Sequence, residues 1–385
     1  MNSRLFNASC FALIATAMTF AVRAKIELVF NNDYGLTLEQ IGIAFGPAFY
    51  GFTLAMIIGG FLVDLFGMKK IMNLAIIGHV TGIVLTLFAR DFGMLFTGTL
   101  LIGIGNGMVE AACNPLIATL YPNEKTKMLN RFHVWFPGGV LIGSVLAYLI
   151  VDLMGMSWMI LVGTLFVPVI IYIYLFWGQK FPATERVSSG VSYSDMLKAC
   201  FVNPLFWFIS FCMLLTASTE LATTQRISSL LEETVSNPIL VLAFINGIMM
   251  VGRLFAGDIV HRLSITKMLL FSAIFSCLGL IWLSSATGAT SFLAAGVFAV
   301  GVCYFWPTML SFVAEKIPSS GALGLSLLGG LGMFSVAIVL WAMGFVMDMD
   351  ASGSDTLYRM ALLPGILIVL FGVRLLVEMR QTKTA

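Results

Sequence analysis

The chain has 385 residues, of which 59% are apolar and only 10% charged, against about 25% charged in soluble domains. Its formal net charge of +2 is spread over short basic clusters, leaving no patch for nucleic acid, and a mean hydropathy of +0.99 excludes a soluble globular domain. The two-residue alternation that a membrane β-barrel needs does not occur, so the chain reads as an all-α membrane protein.

Apolar segments fall near 7–30, 38–62, 71–89, 92–120, 130–152, 157–177, 204–231, 238–260, 266–286, 290–314, 321–347 and 357–378, which predicts twelve transmembrane helices. The first follows Met1-Asn2-Ser3-Arg4 without a small-residue cleavage site, so a spanning helix is expected there and not a removable signal. The N-terminus and alternate loops hold Arg4, Lys69, Lys70, Lys125, Lys127, Arg131, Lys180, Arg186, Lys198, Arg262, Lys267, Lys316, Arg380 and Lys383; the opposite loops hold Arg90 and Arg359. Because positive loops stay inside, both termini are expected to be cytoplasmic.

The longest interruption, Gly178–Pro204, divides the helices six and six. Residues 1–178 and 204–385 are therefore expected to form two six-helix bundles, joined by a cytoplasmic linker over 179–203. A shift of 196 residues lays Gly105 on Gly301, Glu110 on Trp306 and Pro122 on Pro318, a weak internal repeat. Two such halves with a ligand site near the midplane are a common transporter plan.

Polar residues inside the spans mark where chemistry would sit, because a charge at bilayer depth costs roughly 2.5–3.5 kcal/mol even on the lenient insertion scale. Helix 4 carries Asn106, Glu110 and Asn114 on one stripe, with Gly103, Gly107 and Ala111 beside it leaving room for a neighbouring backbone or a small polar guest. Glu110 must face protein, water or substrate, or carry a proton. Helix 1 places Thr16, Thr19, Arg23 and Glu27 on a stripe; Arg23 either meets a substrate or pairs with Glu27 near the outer surface, with Lys25 snorkelling. On helix 7, Thr216, Glu220, Thr223 and Thr224 form another stripe, and Glu220 either faces a cavity or pairs with Arg226. The Tyr304-Phe305-Trp306 cluster before Pro307 could stack on a ligand or pack a bent helix. His133, in the first turn of helix 5, is a candidate proton relay or an interfacial hydrogen-bonding group, whereas His79 reads as packing. Gly138, Gly139 and Gly143 fit close helix contacts. Six cysteines without a C-x-x-C pair read as reduced core residues, and three histidines give no metal cage.

The run Gly60-Phe-Leu62-Val-Asp64-Leu-Phe-Gly67-Met-Lys69-Lys70 resembles the signature loop between helices 2 and 3 of the major facilitator superfamily. The resemblance implies the major facilitator fold, with helices 1, 4, 7 and 10 lining a central cavity. It also implies a gating latch at Gly60, Asp64, Gly67, Lys69 and Lys70. Its second-half counterpart is Arg253-Leu-Phe-Ala-Gly257-Asp258-Ile-Val-His261-Arg262, which assigns Arg253 to gating as well. Helix 4 (Gly105, Gly107, Glu110, Ala112, Asn114, Pro115) and the start of helix 5 (Leu129, Asn130, His133, Gly138, Gly139) are similar to fucose-permease-like sugar:proton symporters, where the glutamate couples proton and sugar. Those permeases carry a helix-1 aspartate where this chain reads Ala21-Val22-Arg23-Ala24-Lys25. Helix 5 also lacks the Gly-Pro pattern of drug/proton antiporters.

The expected protein is a multi-pass plasma-membrane (prokaryotic inner-membrane) secondary transporter, working as a monomer in lipid. It would move a small polar solute, a sugar first, by proton-coupled alternating access. Glu110, Asn106, Asn114, Arg23, Glu27, Glu220, Thr216, Tyr304, Trp306 and His133 are the candidate binding and coupling residues, and no cofactor beyond the proton is implied. The alternative cargo is an organic anion, a sugar acid or carboxylate, bound by Arg23. A non-transporting sensor is a remote alternative. No metal spacing, G-x-S-x-G or phosphate loop points to an enzyme.

Overall fold

A computed structural model describes residues 2–384 apart from 37, 237, 257–258, 260–262 and 349–351. Among the described residues the fold is carried by α1 (Asn2–Tyr34), α2 (Gln40–Phe66), α3 (Met68–Leu87), α4 (Phe92–Leu120), α5 (Lys125–Leu153), α6 (Trp158–Phe176), α7 (Pro204–Ile227), α8 (Pro238–Leu254), α9 (Ile265–Leu283), α10 (Ala289–Lys316), α11 (Pro318–Gly344) and α12 (Gly353–Arg380). Among the described residues eleven helices are long and apolar enough to cross a membrane, and no strand occurs. The twelfth, α8, is apolar but has 17 residues, and the expected continuation of that segment toward residue 260 lies partly outside the described residues.

Close crossings are set by glycines. A Cβ on Gly107 would come within 2.4 Å of the Phe52 carbonyl oxygen, so α2 lies directly against α4; a Cβ on Gly105 would meet His79 of α3 at 2.5 Å. The space read beside the Glu110 stripe is thus filled by the backbone of α2. The repeat-related Gly301 packs the same way, its Cβ position falling 2.1 Å from the Ser276 nitrogen of α9. Gly139 and Gly143 seat α5 on Ile14, Ala17 and Ala21 of α1. Between the two halves of the chain the principal seams are α2 with α11 and α5 with α8. These seams map onto each other when the halves are exchanged, as the internal repeat requires. At the first seam a Cβ on Gly60 would overlap Ser326 of α11 (2.4 Å), so only glycine permits that approach.

The irregularities that bear on the central polar residues fall in α5, α7 and α10. In α5 the ladder is interrupted at Val134, ahead of Pro137. In α10 it breaks at Cys303-Tyr304, ahead of Pro307. In α7 a single π-helical turn, Ser218–Ala222, contains Glu220. Proline has no amide hydrogen, so the carbonyl four residues earlier loses its helical partner; isolated π turns likewise mark functional sites.

Helix α5 begins at Lys125, five residues before the apolar run, so His133 lies two turns inside the helix and not in its first turn. The extra turns are polar and read as loop in the sequence, but their side chains are consumed by neighbours: Lys125 Nζ donates to Glu185 (2.7 and 2.8 Å) and to the Ala314 carbonyl (3.3 Å), and Thr126 bonds Glu315.

Candidate functional site

Two buried polar clusters meet at the centre. In the first, Asn114 Nδ2 donates to Glu110 Oε2 (2.6 Å), and Asn114 Oδ1 accepts from His133 Nε2 (3.0 Å). Residues 110 and 114 are one helical turn apart on α4, so one carboxamide joins the carboxyl to the imidazole on α5. The carboxyl-to-imidazole distance is 3.9 Å. Glu110, Asn114 and His133 are each about 1% exposed. Among the described residues no lysine or arginine lies within salt-bridge distance of Glu110.

In the second cluster Arg253 Nη2 donates to Glu220 Oε1 at 2.7 Å, with both side chains almost wholly buried. The π turn of α7 carries Glu220 toward α8 and α10, where the Trp306 amide donates to Oε2 (3.4 Å). Arg253 Nε donates to the Cys303 carbonyl (2.6 Å), and Nη1 donates to the His133 carbonyl (2.9 Å). A buried charge requires such complete pairing. The last of these bonds links the clusters, so one polar chain runs from Glu110 in the first half to Glu220 in the second.

A third chain lies within the first half. His79 Nε2 donates to Asn106 Oδ1 (2.8 Å), Tyr172 OH donates to His79 Nδ1 (3.0 Å), and Asn106 Nδ2 donates to Thr19 Oγ1 (3.1 Å). One neutral tautomer of His79, protonated at Nε2, satisfies both ring contacts. His79 was read from sequence as packing; its polar partners on α4 and α6 were the missed signal, since buried polar groups are normally hydrogen-bonded.

The structure separates the other candidates. Arg23, 8% exposed, lies against the rings of Phe20 and Phe49 (4.8 and 4.5 Å to their centroids) and donates to Gln225 of α7 (3.1 Å). It also lines a pocket with Thr19, Phe45, Thr86 and Thr99 inside the first half. The side chain of Glu27 lies outside the described residues; Lys25 pairs with Asp152 of α5. Thr216 is buried and bonded to its own helix through the Met213 carbonyl (3.2 Å). Tyr304 OH donates to the Gly252 carbonyl (2.8 Å), and Trp306 lies against Gly329 and Gly332 of α11. Buried hydroxyls without a hydrogen-bond partner include Thr16 on α1, Thr223 on α7 and Thr308 on α10.

Of the gating candidates, the buried Asp64 side chain accepts from Arg186 Nε (2.6 Å) and bonds Thr184, both in the linker. Gly67 turns the chain at φ +83°, Lys69 donates to the Gln179 carbonyl (3.2 Å), and Lys70 lies over the Phe66 ring. Arg253, by contrast, sits in the central cluster. Gly257, Asp258, His261 and Arg262 lie outside the described residues. The six cysteines are unpaired, five of them buried, and in the linker burial pushes the Cys200 thiol up to about 12.

A family profile described as Major Facilitator Superfamily matches residues 5–340. The fold superposes on a variant of the E. coli fucose:proton symporter FucP with a TM-score of 0.76 and 18% identity, covering 96% of this chain and 98% of that one. FucP in the outward conformation gives a TM-score of 0.78 with the same identity and coverage. The proton:xylose symporter XylE gives 0.75 at 13% identity, covering 96% and 94%. Among curated proteins, the chain is 27% identical over 150 residues to a probable anion transporter 6, chloroplastic, from Arabidopsis thaliana. It is also 27% identical over 154 residues to monosaccharide-sensing protein 2 from the same plant. These matches cover 38% and 39% of this chain but only 28% and 20% of those proteins.

Proposed function

The chain belongs to the major facilitator superfamily, and on that premise we propose a secondary transporter that moves a small polar solute, a sugar first, by proton-coupled alternating access. That it is a multi-pass membrane transporter, and not an enzyme, follows from the family. The observation that carries the finer reading is the buried hydrogen-bonded chain from Glu110 through Asn114 and His133 to Arg253 and Glu220. Two six-helix bundles, 1–178 and 204–385, would rock about the seams α2–α11 and α5–α8, with α8 as a twelfth span and both termini cytoplasmic. The bilayer would be a prokaryotic inner membrane.

Glu110 is the proposed proton carrier. Its partner is a carboxamide, which can serve either protonation state. With a carboxylate, Asn114 offers its NH2 to Glu110 and its carbonyl to His133. With a carboxylic acid, the amide turns over, accepting from Glu110 and donating to His133 Nε2, whose proton then resides on Nδ1. One side-chain rotation so passes the protonation state of α4 to α5. A sugar is put first because the fold superposes on the fucose and xylose symporters FucP and XylE.

In reconstituted vesicles, Glu110→Gln is expected to abolish uphill uptake driven by a pH gradient while solute counterflow stays within roughly twofold of wild type. Retained uphill uptake would remove Glu110 from the coupling role.

A second cargo, an organic anion, is favoured by Arg23, whose guanidinium lies against two aromatic rings and lines a pocket that also holds Thr19, Thr86 and Thr99. Arg23→Gln should then abolish binding of a sugar acid and spare a neutral sugar.

A further inference from the structure

Arg253 makes a contact pattern that its ion pair with Glu220 does not require. The two carbonyls it binds belong to His133 and Cys303, and each stands four residues before a proline, Pro137 and Pro307. In each helix the carbonyl four residues before the proline lies in the ladder break and has no amide to return to it. The ladder resumes directly after it: Gly138 N donates to Val134 O (3.1 Å), and Thr308 N to Tyr304 O (3.2 Å). A buried carbonyl without a donor is costly, and a guanidinium has five N–H groups in a fixed fork. Arg253 spends one face of that fork on α10 of its own half, one on Glu220 of α7, and one on α5 of the other half.

We propose that Pro137 and Pro307 are positioning residues that turn Arg253 into a clamp between the halves. Each proline withdraws an amide, exposes a carbonyl to Arg253, and so makes the Arg253–Glu220 pair complete only while α5 is docked on α8. The clamp therefore reports docking of the halves to the carboxylate in α7, and a change at Glu220 loosens the docking in return. The inference rests on the transporter reading for its consequence, but the contact itself can be read with no solute and no proton gradient.

The test is a double-mutant cycle on docking. Lys127→Cys and Val251→Cys place spin labels at exposed positions on α5 and α8 in a Cys277→Ser background, which leaves the five buried cysteines unlabelled. Distances are measured in lipid nanodiscs. Pro137→Ala restores an amide that competes for the His133 carbonyl, and should raise the population of separated labels by roughly threefold or more. Arg253→Gln should raise it further, and the double variant should equal Arg253→Gln alone, because both changes act through one contact. Pro168→Ala in α6, four residues after Thr164 and on a helix that packs on α1 and α3, should leave the distances unchanged. If Arg253→Gln does not fold, Arg253→Lys, which keeps the charge without the fork, takes its place in the cycle. Additive effects, an unchanged distribution in Pro137→Ala, or an equal shift in Pro168→Ala would each overturn the clamp. Any of those results alongside an uncoupled Glu110→Gln would sink the clamp and leave the coupling role standing; the opposite pair of results would do the reverse.

Discussion

Glu110 and Glu220 are equally buried, at 1% exposure, yet they are kept in different ways. Glu220 has a guanidinium at 2.7 Å and a backbone amide behind it. Glu110 has one carboxamide and, beyond it, an imidazole. A carboxylate locked to arginine holds its charge, because losing that charge would strand the cation in a dry site. A carboxylate held by a group that both donates and accepts can gain and lose a proton without orphaning its partner. On the reading proposed above the two halves have different duties: one would carry the transferable proton, the other the fixed pair that senses how the halves fit.

The largest expected effect breaks the fixed pair. Glu220→Gln or Arg253→Gln leaves an unpaired buried charge or a mismatched fork, and each should destabilise by about 3–5 kcal/mol, read as lowered thermal midpoints in detergent. Glu110→Gln should cost no more than about 1 kcal/mol, since glutamine still accepts from Asn114. Equal losses at the two sites would erase the distinction. Asn114→Ala strands both Glu110 and His133; a loss of about 1–3 kcal/mol is expected, with uphill transport lost although the carboxyl is intact. Lys25→Gln, at a half-exposed pair with Asp152, sets the bottom of the scale: about 0–1 kcal/mol, shrinking further in high salt.

Much of this was legible in the sequence, for identifiable reasons. The helices were visible because long apolar runs have few other readings, and Glu110 because an isolated carboxyl inside one is expensive. The glycines of α4 were visible as a packing face, although what they admit is α2 and not a guest. The start of α5 was hidden, because Lys125 and Thr126 look like loop residues until Glu185 and Glu315 are brought to them. Arg253 stood in a run resembling a gating loop, and only the fold shows that its side chain turns inward. The π turn at Glu220 has no sequence mark of its own. Pro137 and Pro307 were visible as prolines, but which carbonyls they release, and to whom, is a tertiary fact.

The linker divides its loyalties. Thr184, Glu185 and Arg186 are tied to Asp64 and Lys125 of the first half, while the helix Tyr193–Phe201 packs at the start of α11, with Cys200 Sγ against the Ser320 carbonyl. Between those anchorages lies little more than Ser188-Ser189-Gly190, where Gly190 adopts φ +70°. If the bundles rock as proposed, part of the swing would fall on that short stretch, whose ends Arg186 and Val191 bond to each other and so would limit how far the molecule opens.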